Sequence, residues 1–360
     1  MKIALLNLPF DNNYGGNLQR YALVKVLQGM GHEIEHINLV YHNELPWYKK
    51  IPCYGKRIVK KYILFKKNIQ VFLEKKMCLE MENKTRLTKE FYDKYIPHTK
   101  SCKNIADIIS VTRGKYSAFI VGSDQVWRAD STKQIGIENY FLRFTSNENV
   151  KRYAYSVSFG VSENIFSRKQ IFELSKYYSN FNAVSVREEY ALKLLSKYNW
   201  NQPKATLTLD PTFLLSKEDY EQIISENEVV DLTSNKIFCY ILDKTKEKIR
   251  QINDYQNNQT EQVVWVGLDN TDDVSICQWL NNIKNAKLVI TDSFHGCVFS
   301  IIFNRSFIFL GNSGRGNSRI DSLFKILDIN KDETMQLNWE KINQKISFYK
   351  VKSLFFLQEI

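Results

Sequence analysis

The stretch KLVITDSFHGCVFSIIFNRSFIFL, residues 287–310, decides the fold because two apolar runs of strand length flank a segment of helical length. The runs predict buried β-strands at Lys287–Thr291 and Phe307–Leu310, and the segment starting near Phe294 predicts a helix between them. Such a strand–helix–strand unit joins parallel strands through a right-handed crossover. This stretch therefore predicts a parallel sheet covered by helices.

The same alternation extends over most of the chain. Further strands are predicted at Lys2–Leu8, Glu33–Leu39, Tyr116–Val121, Arg152–Val157, Ala183–Val186, Lys236–Leu242 and Gln262–Val266. A helix with one apolar stripe is predicted from Asn17 to Met30. Because one sheet rarely absorbs so many units, the predicted fold class is α/β with two Rossmann-like domains.

We expect an N-terminal domain over residues 1–180, a C-terminal domain over 181–330, and a helical tail over 331–360 that packs back on the first domain. In parallel α/β sheets, ligands bind beyond the carboxyl ends of the strands. The active site is therefore expected in the cleft between the two domains.

Composition and charge narrow the class of protein. A hydrophobic content of 44% suits packed cores, and 50 Lys and Arg against 39 Asp and Glu favour anionic partners. The six cysteines are scattered without a CxxC motif, as in a protein of a reducing cytoplasm. The first residues are typical of a strand and not of a signal peptide, and no run approaches the roughly 18 apolar residues of a membrane span. We therefore expect a cytoplasmic protein that is soluble or peripheral to the membrane.

Residues 49–76 interrupt the alternation with ten Lys and Arg and a single acid, Glu74, interleaved with aliphatic and aromatic side chains. One interpretation is an amphipathic helix that rests on an anionic membrane surface or guides a lipid-linked substrate. The other is a solvated helix whose apolar face packs on its own domain. A nucleic-acid partner is disfavoured, because the basic residues cluster here without a recognised motif.

The loop after the first strand, NNYGGNLQRYAL at residues 12–23, carries the first candidate site. Gly15, Gly16 and Asn17 open a helix whose free N–H groups form an anion site, with Arg20 within reach. The alternative is a tight turn in which Asn17 is only the N-cap.

A second strand end, FIVGSDQVWRAD at residues 119–130, runs into a polar loop. Gly122 permits close approach of the backbone, while Ser123, Asp124 and Gln125 follow the buried strand. These side chains either meet a ligand or cap a turn.

The stretch AVSVREEYALKLL, residues 183–195, places Arg187 between a strand and a helix. A guanidinium there can hold a carboxylate or phosphate through two parallel hydrogen bonds. The stretch LDPTFLL, residues 209–215, forms a similar strand-end turn with Asp210.

The junction TDSFHG within the opening stretch carries the acid–base candidate. Asp292 or Ser293 is a good N-cap, which puts His295 in the first helical turn, where the helix dipole disfavours its protonated form. An imidazole beside an acid that offsets the dipole suits acid–base chemistry, although a structural histidine remains the alternative. Beyond the next strand, Arg315 and Arg319 either close over an anionic ligand or remain solvated.

Several common catalytic patterns are absent from the sequence. It contains no GxSxG, no Walker lysine loop, no HExxH, and no GxGxxG after the first strand. With only five histidines, a multi-histidine metal site is not expected.

Taken together, these stretches resemble the polysaccharide pyruvyl transferase family. The matching pieces, in the family's order and spacing from residue 1 to about 328, are GGNLQRYAL, VGSDQVW, YSVSFG, SVRE, LDPTFLL, ITDSFHG and SRIDSLFKIL. The resemblance implies an architecture similar to the two-domain glycosyltransferase type B (GT-B) fold, with the acceptor on the N-terminal domain and the donor on the C-terminal domain.

The resemblance also implies a reaction. The enolpyruvyl carbons of phosphoenolpyruvate move onto two hydroxyls of one sugar, which gives a cyclic pyruvate ketal and phosphate. The implied acceptor is a cell-surface polysaccharide or its lipid-linked precursor, met at the inner face of the cell membrane. No metal, cofactor or nucleotide sugar is implied.

In this scheme His295 protonates the methylene carbon of the donor. Arg187, with Arg319 or Arg20, holds the donor's carboxylate and phosphate. Asp124 or Asp292 takes protons from the acceptor hydroxyls.

One position departs from the family pattern. Many relatives carry an arginine two places before this histidine, where the present chain has Ser293. The missing positive charge must then come from elsewhere, for example from Arg319 or Arg315. Two competing hypotheses keep the architecture and change the function: a nucleotide-sugar glycosyltransferase, and a non-catalytic glycan-binding relative.

Overall fold

The computed structural model describes residues 1–41, 45, 47–146, 149–160, 165–259, 262–266, 274–311 and 318–360. The strands in these ranges are β1 (Lys2–Leu6), β2 (Glu33–His36), β3 (Ala118–Val121), β4 (Lys151–Val157), β5 (Ala183–Val186), β6 (Thr206–Leu207), β7 (Ile237–Tyr240), β8 (Val263–Val266), β9 (Leu288–Thr291) and β10 (Phe307–Phe309). The helices are α1 (Tyr14–Gly29), α2 (Trp47–Ile58), α3 (Leu73–Tyr95), α4 (Ile105–Thr112), α5 (Arg168–Tyr178), α6 (Glu189–Lys197), α7 (Lys217–Ser225), α8 (Lys246–Gln259), α9 (Ile276–Asn285), α10 (Phe294–Ile302), α11 (Ser318–Leu327) and α12 (Trp339–Gln358).

These strands form two parallel sheets. The first has the order β2-β1-β3-β4-β5-β6, and the second has the order β10-β9-β7-β8. Each pairing is parallel, and α-helices provide the crossovers between most strands. The α/β class and the two parallel sheets predicted from sequence are therefore confirmed.

The division between the domains lies further along the chain than expected. β5 pairs with β4, and β6 pairs with β5, so both strands belong to the first sheet. The expected boundary near residue 180 is corrected to the segment between β6 and β7. The cause is the short β6, a two-residue strand that ends the first sheet and has no apolar run of its own.

Aromatic side chains join the two domains. Tyr14, the first residue of α1, stacks on Trp279 of α9 with ring centroids 5.5 Å apart and contacts Tyr240 of β7 at 5.9 Å. The backbone N–H of Val274 donates to the Tyr14 hydroxyl over 3.2 Å. These contacts place the start of α1 against the second sheet.

Helix α12 returns from the second domain to the first. Its Ser353 hydroxyl accepts a 2.9 Å hydrogen bond from the backbone N–H of Leu209, and Phe356 contacts Tyr155 of β4. The C-terminal helix thus packs back on the first domain, as predicted from the sequence.

Candidate active site

Three acidic and basic side chains meet at the carboxyl edge of the first sheet. Asp124 follows β3, Arg187 follows β5 and Asp210 follows β6. The Arg187 guanidinium donates to Oδ1 of Asp124 and to Oδ2 of Asp210, both over 2.7 Å. Because its side chain is only 2% exposed, Arg187 forms a buried ion pair with each carboxylate.

The second domain contributes three side chains to the same place. His295 Nε2 lies 3.8 Å from Oδ2 of Asp210. The Phe294 ring lies beneath two guanidinium groups, with its centroid 4.9 Å from Cζ of Arg187 and 5.4 Å from Cζ of Arg319. The six residues, called the cleft cluster below, are Asp124, Arg187, Asp210, Phe294, His295 and Arg319.

The start of α1 sets the position of the histidine. A Cβ atom at Gly15 would lie 2.0 Å from Cγ of His295, which is much closer than two non-bonded carbon atoms can approach. Only glycine leaves room there for the imidazole. The GG motif therefore packs the histidine of one domain against the helix of the other.

Backbone geometry places Asp124. Gly122 has φ +117°, and a Cβ there would meet the carbonyl oxygen of Tyr155 at 2.2 Å. Asp124 itself has φ +78°, a conformation that few side chains adopt, and its carbonyl accepts from the N–H of Ser158 over 2.9 Å. This turn holds the carboxylate toward the arginines.

The charges in the cluster shift one another's pKa values. Burial raises the pKa of Asp124, but Arg187, Arg319 and His295 outweigh it and bring that pKa to about 2. Burial likewise opposes ionisation of Asp210, yet His295 and Arg187 hold its pKa well below the usual range. Burial and the neighbouring Arg187 lower the pKa of Arg319 to about 10, which leaves it charged at neutral pH.

Three nitrogen atoms of the cluster are buried without a hydrogen-bond partner in the described part of the chain. They are Nε2 of His295, Nε of Arg187 and Nε of Arg319. Buried polar groups are rarely left unpaired, and such exceptions often mark a ligand site. An arrangement of two guanidinium groups and an imidazole suits an anionic ligand with several oxygen atoms.

The sequence of the chain places it in a family. The family model for polysaccharide pyruvyl transferase matches residues 13–314. The chain belongs to the polysaccharide pyruvyl transferase family. The match includes Gly15, Asp124, Arg187 and His295 and ends before Arg319.

Similar folds occur among solved structures. A putative UDP-N-acetylglucosamine 2-epimerase from Listeria monocytogenes has a TM-score of 0.50 at 9% identity, over 99% of this chain and 91% of that chain. A UDP-GlcNAc 2-epimerase from Methanocaldococcus jannaschii has 0.48 at 11%, over 96% and 92%. An alpha-glucosyltransferase in complex with UDP has 0.49 at 9%, over 99% and 95%. Curated protein sequences give no match to this chain. Such low identities concern the fold alone. The two parallel sheets of this pyruvyl transferase family member, together with the Listeria structure at a TM-score of 0.50, agree with the GT-B architecture predicted from sequence.

Two residues predicted from the junction TDSFHG, Asp292 and Ser293, bind neighbouring protein groups outside the cleft cluster. Asp292 accepts hydrogen bonds from the backbone N–H of Leu242 over 2.6 Å and of Asp243 over 3.1 Å, and pairs with Lys248 Nζ at 2.6 Å. Its carboxylate therefore holds the loop after β7, and the role of Asp292 as a general base stays a prediction. Ser293 is the N-cap of α10 and accepts from the N–H of Gly296.

The β1–α1 loop is also organised differently from the expectation. Asn13, not Asn17, is the N-cap, and its side chain accepts from the N–H of Gly16 over 3.1 Å. Arg20 is buried and donates to Asn17 Oδ1 and to the carbonyl of Leu8, both over 2.9 Å. The Arg20 guanidinium thus holds the loop, and the contact of Arg20, Asn17 and Gly16 with an anion stays a prediction.

The remaining predicted residues have local contacts or lie outside the described ranges. The Ser123 hydroxyl donates to the carbonyl of Ser156 over 2.8 Å, and its contact with a ligand stays a prediction. Gln125 accepts from Arg128 over 3.0 Å. Arg315 lies outside the described residues.

Asp210 is the site residue that sequence reasoning left unassigned. It links Arg187 to His295, and its Oδ1 also accepts from the N–H of Thr212. The signal was present, since LDPTF ends a predicted strand with an acid. Its pairing with a histidine 85 positions away follows only from the approach of the two domains.

Metal binding was not expected, and that stays a prediction. Within the ranges that the structure describes, no group of three or more His, Cys, Asp or Glu side chains is arranged to hold a metal ion. The six cysteines are free thiols.

Replacing Asp124 with asparagine should destabilise the protein in a pH-dependent way. A carboxyl whose pKa falls from 3.8 to about 2 on folding contributes about 2 kcal/mol at neutral pH. That contribution is present above the unfolded pKa and is lost as the pH falls through the folded pKa. Urea unfolding should therefore show a wild-type advantage near about pH 7 that shrinks toward about pH 2.

The matched control for this prediction is Asp130→Asn, which changes an exposed carboxylate paired with Lys133 on the neighbouring turn. It should alter the unfolding free energy little at either pH. A stability difference for Asp124→Asn that stays constant with pH would show that the ion pair with Arg187 does not stabilise the fold.

Proposed function

We propose that this chain transfers the enolpyruvyl group of phosphoenolpyruvate onto two hydroxyls of one sugar and forms a cyclic pyruvate ketal. Membership of the pyruvyl transferase family supports the type of reaction. The observation that carries the proposal is the set of buried nitrogen atoms without a hydrogen bond on Arg187, Arg319 and His295, contributed by both domains to one cleft. Phosphoenolpyruvate is a small anion with a carboxylate and a phosphate, and each of these groups can accept hydrogen bonds from a guanidinium group.

The reaction balances with these residues. A proton adds to C3 of the donor, the methylene becomes a methyl, and the first acceptor oxygen bonds to C2. The C2–O bond to phosphate then breaks with its electron pair, and the second acceptor oxygen bonds to C2. Of the two hydroxyl protons lost, one offsets the proton placed on C3 and the other leaves with phosphate.

His295 is the proposed proton donor to C3. Its imidazole lies in the first turn of α10, with Nε2 3.8 Å from Oδ2 of Asp210, which fixes the orientation of the ring. Asp210 would therefore act as a positioning residue through the histidine. Imidazole is the side chain that most often serves as a general acid, and this one lies in the cleft beside both arginines.

Arg319 is the proposed replacement for the arginine that many relatives carry at the position of Ser293. Its guanidinium lies over the ring of Phe294, the residue next to Ser293, and its Nε has no hydrogen bond. A charge from α11 would thus compensate for the serine on α10. Arg319 and Arg187 would together hold the donor and stabilise the departing phosphate.

Asp124 is the proposed base, and donor binding would prepare it. With a pKa of about 2, a carboxylate bound by Arg187 is a weak base. Donor oxygens that take over the guanidinium groups would release Asp124 from part of that pairing and raise its basicity. We propose that the acceptor is a surface polysaccharide or its lipid-linked precursor, met at the inner face of the membrane.

Donor binding gives a direct test. Phosphoenolpyruvate should raise the Tm of the protein by several degrees at saturating concentration, because a ligand bound only to the folded state stabilises it. Arg319→Gln should remove most of that rise, since it deletes one of the two donor-binding charges. The measurement is a thermal unfolding series against phosphoenolpyruvate, with Arg143→Gln, an exposed arginine paired with Glu138, as the control.

A nucleotide-sugar transferase of the same architecture predicts the opposite pattern. It would be stabilised by UDP- or GDP-sugars and not by phosphoenolpyruvate. A non-catalytic glycan-binding relative would bind the acceptor and form no product. Either result, together with no phosphate release on any galactoside or mannosamine-containing acceptor, would contradict the proposed reaction.

A further inference from the structure

An exposed surface rich in apolar and basic side chains projects from the first domain. It consists of α2, a π-helical turn at Val59–Ile63, the irregular residues 64–72 and the first turns of α3. Two of its side chains, Ile51 and Phe65, are 79% and 81% exposed. The exposed large apolar residues of this segment, called the basic apolar surface below, are Tyr48, Ile51, Ile58, Val59, Tyr62, Ile63, Leu64, Phe65, Phe72, Leu73, Met77 and Leu79.

Of the two interpretations of residues 49–76, the exposure disfavours the helix that packs on its own domain. That interpretation requires the apolar side chains to be covered, and among the described residues of this segment Val71 is the one apolar side chain that is buried. Twelve exposed large apolar side chains in one segment exceed the scattered single ones of an ordinary protein surface, and such a patch usually marks an interaction site.

The charge of the surface selects the chemistry of its partner. Residues 45–73 contain eight Lys and Arg and no acid. Lys49, Lys56, Lys66 and Lys67 are exposed. Aromatic and aliphatic side chains mixed with lysine fit the interface of a bilayer, where the rings enter the headgroup layer and the ammonium groups meet lipid phosphates.

The one acid of the segment is neutralised and has a structural role. Arg57 donates to both oxygens of Glu74, over 2.6 and 2.8 Å, and to the carbonyl of Val71 over 3.2 Å. This bidentate pair ties α2 to the start of α3. The surface is therefore a formed part of the domain, and the exposed ammonium groups of Lys56, Lys66 and Lys67 can meet an external anion.

Two concave features are continuous with the surface. A groove of about 490 Å³ is lined by Ile58, Lys61, Tyr62, Gln70, Val71 and Phe72, which places an ammonium group beside apolar walls. A cavity of about 280 Å³ reaches from Met77 and Met81 on α3 to Phe10 and Val40, in the loops after β1 and β2. The surface thus adjoins the carboxyl edge of the sheet that carries Asp124 and Arg187.

No helix in the described ranges is long and apolar enough to cross a membrane.

We propose that the basic apolar surface docks the protein on the surface of an anionic phospholipid bilayer. The apolar side chains of α2 and the 64–72 loop enter the interface, and the lysines contact lipid phosphates. Docking would hold the adjoining sheet edge near the membrane, where a lipid-linked sugar is presented. The use of docking for that acceptor rests on the proposed function, whereas lipid binding itself does not.

Vesicle co-sedimentation of the full chain, without substrate, tests the proposal. The wild type should bind phosphatidylglycerol/phosphatidylcholine vesicles, bind pure phosphatidylcholine much more weakly, and lose binding at high salt. The double variant Ile51→Ser/Phe65→Ser and the double variant Lys66→Gln/Lys67→Gln should each lower the partition coefficient at least about tenfold. Since all four side chains are exposed, the Tm should not change.

Control variants outside the basic apolar surface distinguish docking from non-specific adsorption to vesicles. Phe172→Ser, a 64% exposed phenylalanine on α5, and Lys193→Gln/Lys197→Gln on α6 should leave vesicle binding unchanged. The proposal is overturned if the wild type does not bind anionic vesicles, or if the control variants lose as much binding as the surface variants. It is also overturned if the surface instead mediates self-association, shown by a dimer that the Ile51/Phe65 variant converts to a monomer. Because no substrate is present, failure here would leave the proposed transfer reaction untouched.

Discussion

Replacing His295 with glutamine is expected to lower kcat at least about 100-fold, the usual range for loss of a general acid. Glutamine fills a similar volume against Gly15 but has no proton to donate to C3 of the donor. The loss should be in turnover, while the Tm and the stabilisation by phosphoenolpyruvate stay close to those of the wild type. The measurement is phosphate release at saturating donor and acceptor, with folding checked by thermal unfolding.

The matched control is His32→Gln, which changes a half-buried histidine in the turn before β2, bonded to the N-terminal ammonium group. Its turnover should equal that of the wild type. If the His295→Gln enzyme keeps near wild-type turnover, this histidine is not the proton donor.

The second large effect is expected from a substitution that removes no ionisable group. In Gly15→Ala, the new Cβ would meet Cγ of His295 at 2.0 Å, so the imidazole must move. A displacement of about 1 Å at a reacting group can cost about 100-fold in rate. We therefore expect kcat of Gly15→Ala to fall to nearly the level of His295→Gln, as measured by the same phosphate-release assay.

Gly29→Ala provides the control on the same helix. A Cβ at Gly29 has nothing within 4 Å, so alanine should leave activity unchanged and raise stability slightly through its helix propensity. If Gly15→Ala keeps wild-type turnover, the histidine does not depend on the close approach of α1, and the interdomain geometry proposed for the acid is wrong.

The architecture could be predicted from the sequence because it follows from local pattern. The strands of residues 287–310 lie within one residue of their predicted ends, as β9 and β10. The domain boundary could not be placed as well, because β6 has only two residues and its membership of the first sheet depends on pairing with β5. Which sheet a strand joins depends on its pairing with strands that are distant in sequence. The hydrophobic periodicity of the strand itself does not predict that pairing.

The candidate site, like the fold, has features that could be predicted from the sequence and features that could not. Asp124, Arg187 and His295 could be predicted because polar residues at strand ends must gather at one edge of a parallel sheet. The partners of Asp292 and Arg20 could not, because each side chain is taken by backbone groups of a neighbouring loop. Which polar strand-end residue faces the cleft is decided by loop geometry and not by residue type.

The most direct test of enolpyruvyl transfer at this cleft is the mass of the ketal methyl group formed in D₂O. Protonation of C3 by an enzyme acid requires the wild-type product to carry solvent deuterium in that methyl, with equimolar release of phosphate. The same assay with His295→Gln should yield neither ketal nor phosphate at a comparable rate. Release of phosphate without a deuterated ketal, or no product with any acceptor while a nucleotide sugar is consumed, would contradict the proposed reaction.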